Sequence, residues 1–279
     1  MIIDSHAHVV IPAYSHKFLS ELVGSRGNPV RPPAHTEEGV RKAGQSIIDI
    51  MDSVGTDIQF LSPRPYQQMH SVKPARVTAM WTKHMNDLIF ETVKMFPKRF
   101  RAVAGLPQYR DESPENCLAE LEFRVKEQGF LGCLLNPDPT EGDGAPPPGL
   151  GDPFWYPLYE KMCELDIPAL VHSAGSCSPR ESYTLKFINE ESIAIISLLD
   201  SKVFEKFPNI KIIQSVGASI EHITSTQTIN NGTIISRIVD ERLSNDMWEF
   251  LLTIVLSELK NMRTYLIQQA HNTWKQQDY

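Results

Sequence analysis

The chain has 279 residues, a hydrophobic fraction of 41% and a formal net charge of −7, so it can form one large α/β domain or two smaller ones around a sizeable core. The acidic balance argues against nucleic acid or an anionic membrane surface as the main partner, and no run approaches the roughly 20 apolar residues that span a bilayer. The four cysteines are widely spaced and no signal-peptide pattern opens the chain, which predicts a cytoplasmic protein with free thiols.

Short apolar runs alternate with amphipathic stretches along the first three-quarters of the chain. Runs of four to eight apolar residues bounded by Gly or Pro are typical of strands buried on both faces. The predicted strands are 2–8, 58–63, 100–107, 130–137, 167–174 and 210–216. The predicted helices are 38–53, 75–95, 114–128, 154–165 and 188–206.

This alternation predicts a parallel sheet with right-handed crossovers. Six strand–helix units favour a TIM-type (β/α)₈ barrel over a doubly wound sheet, because the polar residues of interest follow the carboxyl ends of several strands. The first predicted strand is not followed by a glycine-rich phosphate-binding motif, so a nucleotide-binding fold has little support.

The alternation of strand-like and helix-like segments ends after Val216. We therefore predict an incomplete barrel over residues 1–216 and a divergent, mainly helical tail over 217–279, in which 253–256 is the only strand candidate. Two segments without clear periodicity, 9–37 and 138–153, follow strand ends and are expected to be loops that form walls of a site.

The first strand ends in two histidines spaced by one residue. On a strand, residues i and i+2 point to the same side, so His6 and His8 present two imidazoles to one place. Together with His172, which ends the fifth strand, they would supply the three ligands that a catalytic zinc site normally uses. The alternative is that His172 is a core histidine bonded to a carbonyl. The other histidines lack ligand spacing and are predicted to lie at the surface; they are residues 16, 35, 70, 84, 222 and 271.

Four further residues are candidates for binding substrate. Arg64, between two prolines just past the second strand, suits bidentate binding of a carboxylate, or else pairs with a loop acid. Asn136 closes the fourth strand and either presents its amide to substrate or caps the turn. Tyr183 and Asn189 follow His172 closely enough to reach the same mouth; their alternative roles are helix packing and capping.

These residues carry a family resemblance. The opening Ile-Asp-Ser-His-Ala-His resembles that of the amidohydrolase superfamily, in the branch of the aminocarboxymuconate semialdehyde decarboxylases. Longer stretches are similar to the 4-oxalomesaconate hydratases within that branch: 61–65, 73–77, 103–108, 134–139, 154–161 and 187–191. The resemblance covers about residues 1–215.

The resemblance implies a (β/α)₈ barrel with one divalent metal, Zn²⁺ by preference, held by His6, His8 and His172. Arg64 and the loop at Asn136 would line a pocket for a small anionic carboxylate. The implied reaction is that of a lyase adding water to an unsaturated oxo-tricarboxylate formed in aromatic breakdown. The alternatives are a decarboxylase of a related anionic substrate and a catalytically inactive remnant that still binds metal or ligand.

The chain also departs from the family pattern. Val216 stands where the family has a histidine, and the acidic residue of the eighth strand has no counterpart in 217–279, so no catalytic base is assigned and activity is expected to be impaired. The tail is read as the product of truncation or a shifted frame, with a diverged helical cap as the alternative. Six strands would leave two open sheet edges, which favours self-association into a homo-oligomer.

Overall fold

The structure of the protein is a computed structural model, and it describes residues 1–28, 30–178, 180–209, 212–215, 234–237 and 241–276. These residues fall into two compact units, divided after Asn209. The first unit carries every candidate site residue named above except Val216, which lies outside the described residues.

The first unit contains short parallel strands alternating with helices. Its strands are β1 (Ile3–His8), β2 (Ile58–Ser62), β3 (Phe100–Ala102), β4 (Ala104–Gly105), β5 (Cys133–Leu135) and β6 (Ala169–Val171). Its helices are α1 (Ala13–Gly24), α2 (Glu37–Val54), α3 (Ala75–Met95), α4 (Leu118–Gln128), α5 (Tyr156–Leu165), α6 (Tyr183–Leu199) and α7 (Val203–Lys206). The first five predicted strands and the predicted helices of this unit are confirmed, except that the single helix predicted over 188–206 is divided into α6 and α7. The helix α1 was missed, because it lies within the segment predicted as a loop.

The helix ends follow local chemistry. The Thr36 side chain accepts a hydrogen bond from the Gly39 amide at the start of α2, and Ser113 accepts one from the Glu115 amide at the 3₁₀ turn Pro114–Cys117 that leads into α4. Gly129 ends α4 with φ of 70°, a left-handed conformation that glycine adopts without steric cost.

The strands pair in chain order, β1-β2-β3 and β4-β5-β6, and every pairing is parallel. The β3 and β4 segments belong to one run of chain, since the Val103 amide bonds to the Leu61 carbonyl and the Ala104 amide to the Gly132 carbonyl. The two sheets are therefore continuous through residues 100–105.

This continuous sheet is strongly curved. Strands in a sheet lie about 4.8 Å apart, so five flat strands would separate β1 from β6 by about 19 Å. The imidazoles of His6 on β1 and His172 just after β6 nevertheless lie 4.9 Å apart, centroid to centroid. The curvature brings the carboxyl ends of the two outermost strands of this unit together.

Large apolar side chains fill the space between sheet and helices. The buried core includes Trp81 and Leu88 of α3, Phe100 of β3, Leu121 of α4 and Trp155, each at most 1% exposed. Burial of this apolar surface is the dominant favourable contribution to folding.

The second unit pairs β7 (Ile212–Ser215) with β8 (Ile234–Arg237) in parallel and continues into α8 (Glu241–Leu259) and α9 (Met262–Ala270). The expectation that 253–256 is the only strand candidate in the tail was wrong, since those residues lie inside α8 and the strand is at Ile234–Arg237. A four-residue strand carries too little pattern to separate it from neighbouring helix-like sequence. Within the described residues, no helix is both long and apolar enough to cross a bilayer.

Candidate functional site

The end of β1 is built by an irregularity in its pairing with β2. Asp4 pairs with Gln59 and Ala7 pairs with Leu61. Two residues of β1, Ser5 and His6, therefore lie opposite the single β2 residue that separates Gln59 from Leu61. Such a β-bulge re-aims side chains. The His6 amide bonds instead to the Asp4 side chain at 3.1 Å.

The three predicted histidines converge on one point. Ring centroids lie 5.1 Å apart for His6 and His8, 4.9 Å for His6 and His172, and 5.3 Å for His8 and His172. A ligand nitrogen of each ring lies within 4.8 Å of the others. Within the part of the chain that the structure describes, no other group of three such side chains comes this close.

Outer hydrogen bonds leave one nitrogen free on two of the three rings. The Ser62 hydroxyl donates its proton to the Ala7 carbonyl at 3.1 Å, so at 2.9 Å it accepts from Nδ1–H of His8. Nδ1 of His172 donates to the Ser173 carbonyl at 2.7 Å, because a carbonyl only accepts. Nε2 of both rings therefore carries the free lone pair.

Burial keeps two of these imidazoles neutral. The pKa of His8 is lowered to about 3, first by burial and then by the charges of His172, His6 and Arg64. Burial also lowers the pKa of His172 to about 4, against the opposing effect of the Ser173 carbonyl. At neutral pH both rings are therefore uncharged and keep one nitrogen lone pair, which is the form that binds a metal.

The donor set fits a divalent cation. Nitrogen ligands sit about 2.0–2.1 Å from zinc, so rings already in contact need only small rotations to share one ion. Imidazole also suits iron, manganese and cobalt. The three side chains that could hold such an ion are His6, His8 and His172.

One acidic residue at this site was missed by sequence reasoning. Glu191 of α6 has its Oε1 3.5 Å from Nδ1 of His172 and accepts a hydrogen bond from the Ser173 amide at 3.2 Å. Burial raises its pKa, and the Ser173 hydrogen bond and the charge of His6 oppose that rise. Glu191 lies 19 residues after His172 and inside a helix, and this spacing does not match a metal-binding or catalytic motif that could have predicted its position beside the ring.

The predicted substrate-binding residues have different surroundings. Arg64 lies close enough to His8 to lower its pKa, and its Nη1 donates to the Tyr66 hydroxyl at 3.0 Å. Asn189 donates to Glu181 at 3.2 Å. Tyr183 is the first residue of α6, and its side chain is outside the described part of the structure.

Asn136 lies within a buried network and is 3% exposed. Its amide donates to Nδ1 of His70 at 2.9 Å and to the Asp138 carbonyl at 3.1 Å, while its Oδ1 accepts from the Asp138 amide at 3.1 Å. These contacts correspond to the turn-capping role, the second of the two roles left open by the sequence.

The surface prediction was wrong for two histidines. His70 and His84 are each 2% exposed. His70 donates from Nε2 to the Leu106 carbonyl at 3.1 Å, and His84 pairs with the Ser15 hydroxyl at 2.9 Å. A histidine whose hydrogen-bond partners lie far away along the chain leaves no spacing pattern in a sequence. His222 lies outside the described residues.

The segment predicted as a plain loop also contains buried acids. Asp138 is 3% exposed and binds Nζ of Lys186 at 2.9 Å, and Glu141 is 6% exposed and accepts from Ser71 and from the Gly175 amide. Burial raises the pKa of Glu141. These contacts hold the chain after β5 against the chain after β6.

Buried neutral histidines predict a loss of stability in acid. Burial lowers the pKa values of His70 and His84 to about 4, below the unfolded value of 6.5. The unfolded state therefore binds more protons as pH falls, so stability is complete above pH 6.5 and is lost toward pH 4, with a slope of up to about 1.4 kcal/mol per pH unit for each group. Urea unfolding of metal-free protein at pH 7.5 and 5.0 measures this loss.

A matched pair of variants assigns this acid effect. His84→Gln should make the pH dependence shallower, whereas His16→Gln at an exposed position should not. If the urea concentration at the midpoint of unfolding is the same at pH 7.5 and at pH 5.0, the prediction is contradicted.

The chain is similar in sequence and in fold to known proteins. A family model described as Amidohydrolase matches residues 3–215. A 2-keto-4-carboxy-3-hexenedioate hydratase from Sphingobium sp. is 36% identical over 219 residues, which cover 76% of this chain and 64% of that protein. The crystal structure of 4-oxalomesaconate hydratase from Rhodopseudomonas palustris has a TM-score of 0.68 at 29% identity, covering 81% of this chain and 66% of that one.

A third comparison concerns the fold alone. A dihydroxybenzoic acid decarboxylase from Polaromonas sp., solved with bound manganese and an inhibitor, has a TM-score of 0.57 at 20% identity and covers 85% of this chain and 77% of that one. This chain spans less than two thirds of the length of either hydratase. Since the family model matches well over half of the sequence, the chain belongs to the amidohydrolase family.

Proposed function

We propose that this chain is a metal-dependent lyase that adds water to a small, conjugated oxo-di- or tricarboxylate. The observation that carries the proposal is the convergence of the His6, His8 and His172 rings at the carboxyl ends of β1 and β6. The 36% identity to a hydratase supports the choice of reaction.

The histidines would hold one divalent cation. Once bound, the cation would act as a Lewis acid on the oxo and carboxylate oxygens of the substrate. Three imidazoles favour Zn²⁺ in our proposal, and the manganese in the solved decarboxylase makes Mn²⁺ the competing ion to test. Ser62 and the Ser173 carbonyl orient two of the rings from outside.

Arg64 would bind a carboxylate of the substrate. Its guanidinium lies near His8, is only partly buried and follows the end of β2 directly. A chain with a net charge of −7 needs such a local cation to attract an anionic ligand. Planar bidentate pairing with a carboxylate adds orientation to that attraction.

We further propose that the first unit is the wall of a TIM-type barrel, with residues 217–279 as a separate, mainly helical region. The parallel pairing in chain order and the curvature that joins the ends of β1 and β6 support this architecture. Valine stands at position 216, where the family resemblance expects a histidine, and it cannot carry a proton, so we expect turnover to be slow compared with that of hydratases that have the histidine.

The test is an assay of purified protein loaded with Zn²⁺ or Mn²⁺ on an unsaturated oxo-tricarboxylate. We expect a metal-dependent loss of ultraviolet absorbance, because hydration removes the conjugated double bond of the substrate. The variant His6→Ala should not show this loss. Arg64→Ala should raise KM by about tenfold or more, since a charge-assisted contact contributes about 1.5–3 kcal/mol.

Carbon dioxide measured in the same reaction separates the alternatives. Release of carbon dioxide in place of hydration would identify a decarboxylase. Bound metal with no turnover of any kind would identify a binding remnant, and either result overturns the proposed reaction.

A further inference from the structure

The helix α6 contacts His172 through two side chains on one face. Phe187 packs edge-on against the imidazole, with centroids 5.4 Å apart and planes at 84°. Glu191, four residues later, places Oε1 3.5 Å from Nδ1 of the same ring. Residues four apart lie on the same helix face, so α6 reaches the histidine with an apolar and an acidic contact together.

The acidic contact acts through the backbone as well. Oε1 of Glu191 accepts the Ser173 amide proton at 3.2 Å, and the Ser173 carbonyl accepts Nδ1–H of His172 at 2.7 Å. One carboxylate oxygen thus holds the backbone of Ser173, the residue whose carbonyl bonds to the ring. β6 ends at Val171, and the His172 amide still donates to the Leu135 carbonyl of β5 at 2.9 Å.

A second set of contacts on α6 holds the helix in place. Lys186 is 5% exposed and binds Asp138 at 2.9 Å and Glu190 at 2.7 Å. Asp138 belongs to the segment after β5, so this pair ties α6 to the neighbouring strand end. The helix that presents Glu191 is therefore anchored independently of the histidine.

We propose that Glu191 is a positioning residue for the metal site: it holds the backbone of Ser173 and Nδ1 of His172 so that Nε2 faces His6 and His8. This inference rests on the proposed metal site. Histidine ligands of metals commonly donate their second ring N–H to a carbonyl or carboxylate, and loss of such a partner typically weakens metal binding by about 10- to 100-fold. Glu191 itself is not among the three ligands.

The experiment measures the Kd for Zn²⁺ by competition with a chromophoric chelator. Glu191→Ala should raise the Kd by about 10- to 100-fold. Glu191→Gln keeps an oxygen acceptor at the same reach and should stay within about threefold of the native value. Glu191→Asp withdraws the carboxylate by one methylene, so it should behave like the alanine variant and replaces it if that protein does not fold.

Two control variants make the outcomes separable. Glu190→Ala removes an ion pair of α6 without touching His172 and should leave the Kd nearly unchanged. His172→Ala should lose binding altogether. If His172→Ala binds Zn²⁺ like the native chain, the metal site itself is wrong.

If only His172→Ala loses binding, while both Glu191→Ala and Glu191→Asp keep the native Kd, the positioning role is overturned and the metal site stands. Equal weakening by Glu190→Ala and Glu191→Ala would also overturn the positioning role, since it would show a general loosening of α6. In Co²⁺-loaded protein, Glu191→Ala should additionally shift the visible absorption bands, because the ligand geometry changes.

Discussion

Replacing His172 with alanine should abolish stoichiometric binding of a divalent cation. The native chain should retain about one equivalent of Zn²⁺ or Mn²⁺ after dialysis, because three imidazole donors already lie within 4.8 Å of one another. Losing one of three ligands should cost more than losing an outer partner, so we expect affinity to fall by at least about 100-fold. Elemental analysis of dialysed protein measures the effect.

The control for this experiment is His16→Ala. His16 lies on the exposed side of α1, so its removal should leave metal content unchanged. Circular dichroism checks that His172→Ala remains folded. Equal metal in the native chain and in His172→Ala would remove the basis of the proposed function, whatever activity is measured.

Replacing Lys186 with alanine should destabilise the protein by about 3–5 kcal/mol. The Lys186 side chain is 7% exposed and that of Asp138 is 3% exposed, so the substitution leaves a carboxylate buried without its cation. Burial lowers the pKa of Lys186, but hydrogen bonds to Glu190 and Asp138 outweigh burial and raise it overall. Lys186 is therefore charged at neutral pH. Urea unfolding at pH 7.5 measures the change in stability.

Lys17→Ala is the matched control for Lys186→Ala. Lys17 pairs with Glu21 at 3.8 Å within α1, where both side chains are more than half exposed, and such surface pairs contribute at most about 1 kcal/mol. A loss of similar size in both variants would contradict the assignment of Lys186 as a buried anchor. A small loss in Lys186→Ala alone would show that Asp138 is compensated by its bonds to Thr140 and Gly142.

The two predictions test two properties of the same region: metal binding by His172 and stabilisation by Lys186. The Lys186 contacts join the segment after β5 to α6, and α6 in turn contacts the ring of His172. Metal binding should therefore weaken in Lys186→Ala less than in His172→Ala, since the lysine acts on the ring only through the helix. Stability and metal affinity report on these two roles separately.

Much of the first unit could be predicted from the sequence because its signals are local. The strand-forming runs, the helix start at Ser113 and the helix end at Gly129 each depend on neighbours within a few residues. The pairing of His6 with His8 follows from the period of a strand. Hydrophobic periodicity and capping chemistry depend on residues close together in the chain, so both can be recognised from the sequence.

Other features depend on contacts between distant parts of the chain. The bulge at Ser5 and His6 exists only against β2, and the buried settings of His70 and His84 depend on the partners Leu106, Asn136 and Ser15. The same holds for Glu191, which reaches His172 because α6 folds back over the end of β6. A side chain in one of these settings looks the same in the sequence as an exposed one.

The sequence by itself determined the strand–helix alternation, the paired histidines on the first strand and the membership of an α/β class. Only the tertiary structure decided that His172 meets them, which nitrogen of His8 and of His172 is left free, and which acid lies beside the cluster. The physical reason is that periodicity sets the direction of a side chain within its own element, whereas the curvature of the sheet sets the distance between elements. That curvature is the sum of many packing contacts spread over the whole unit.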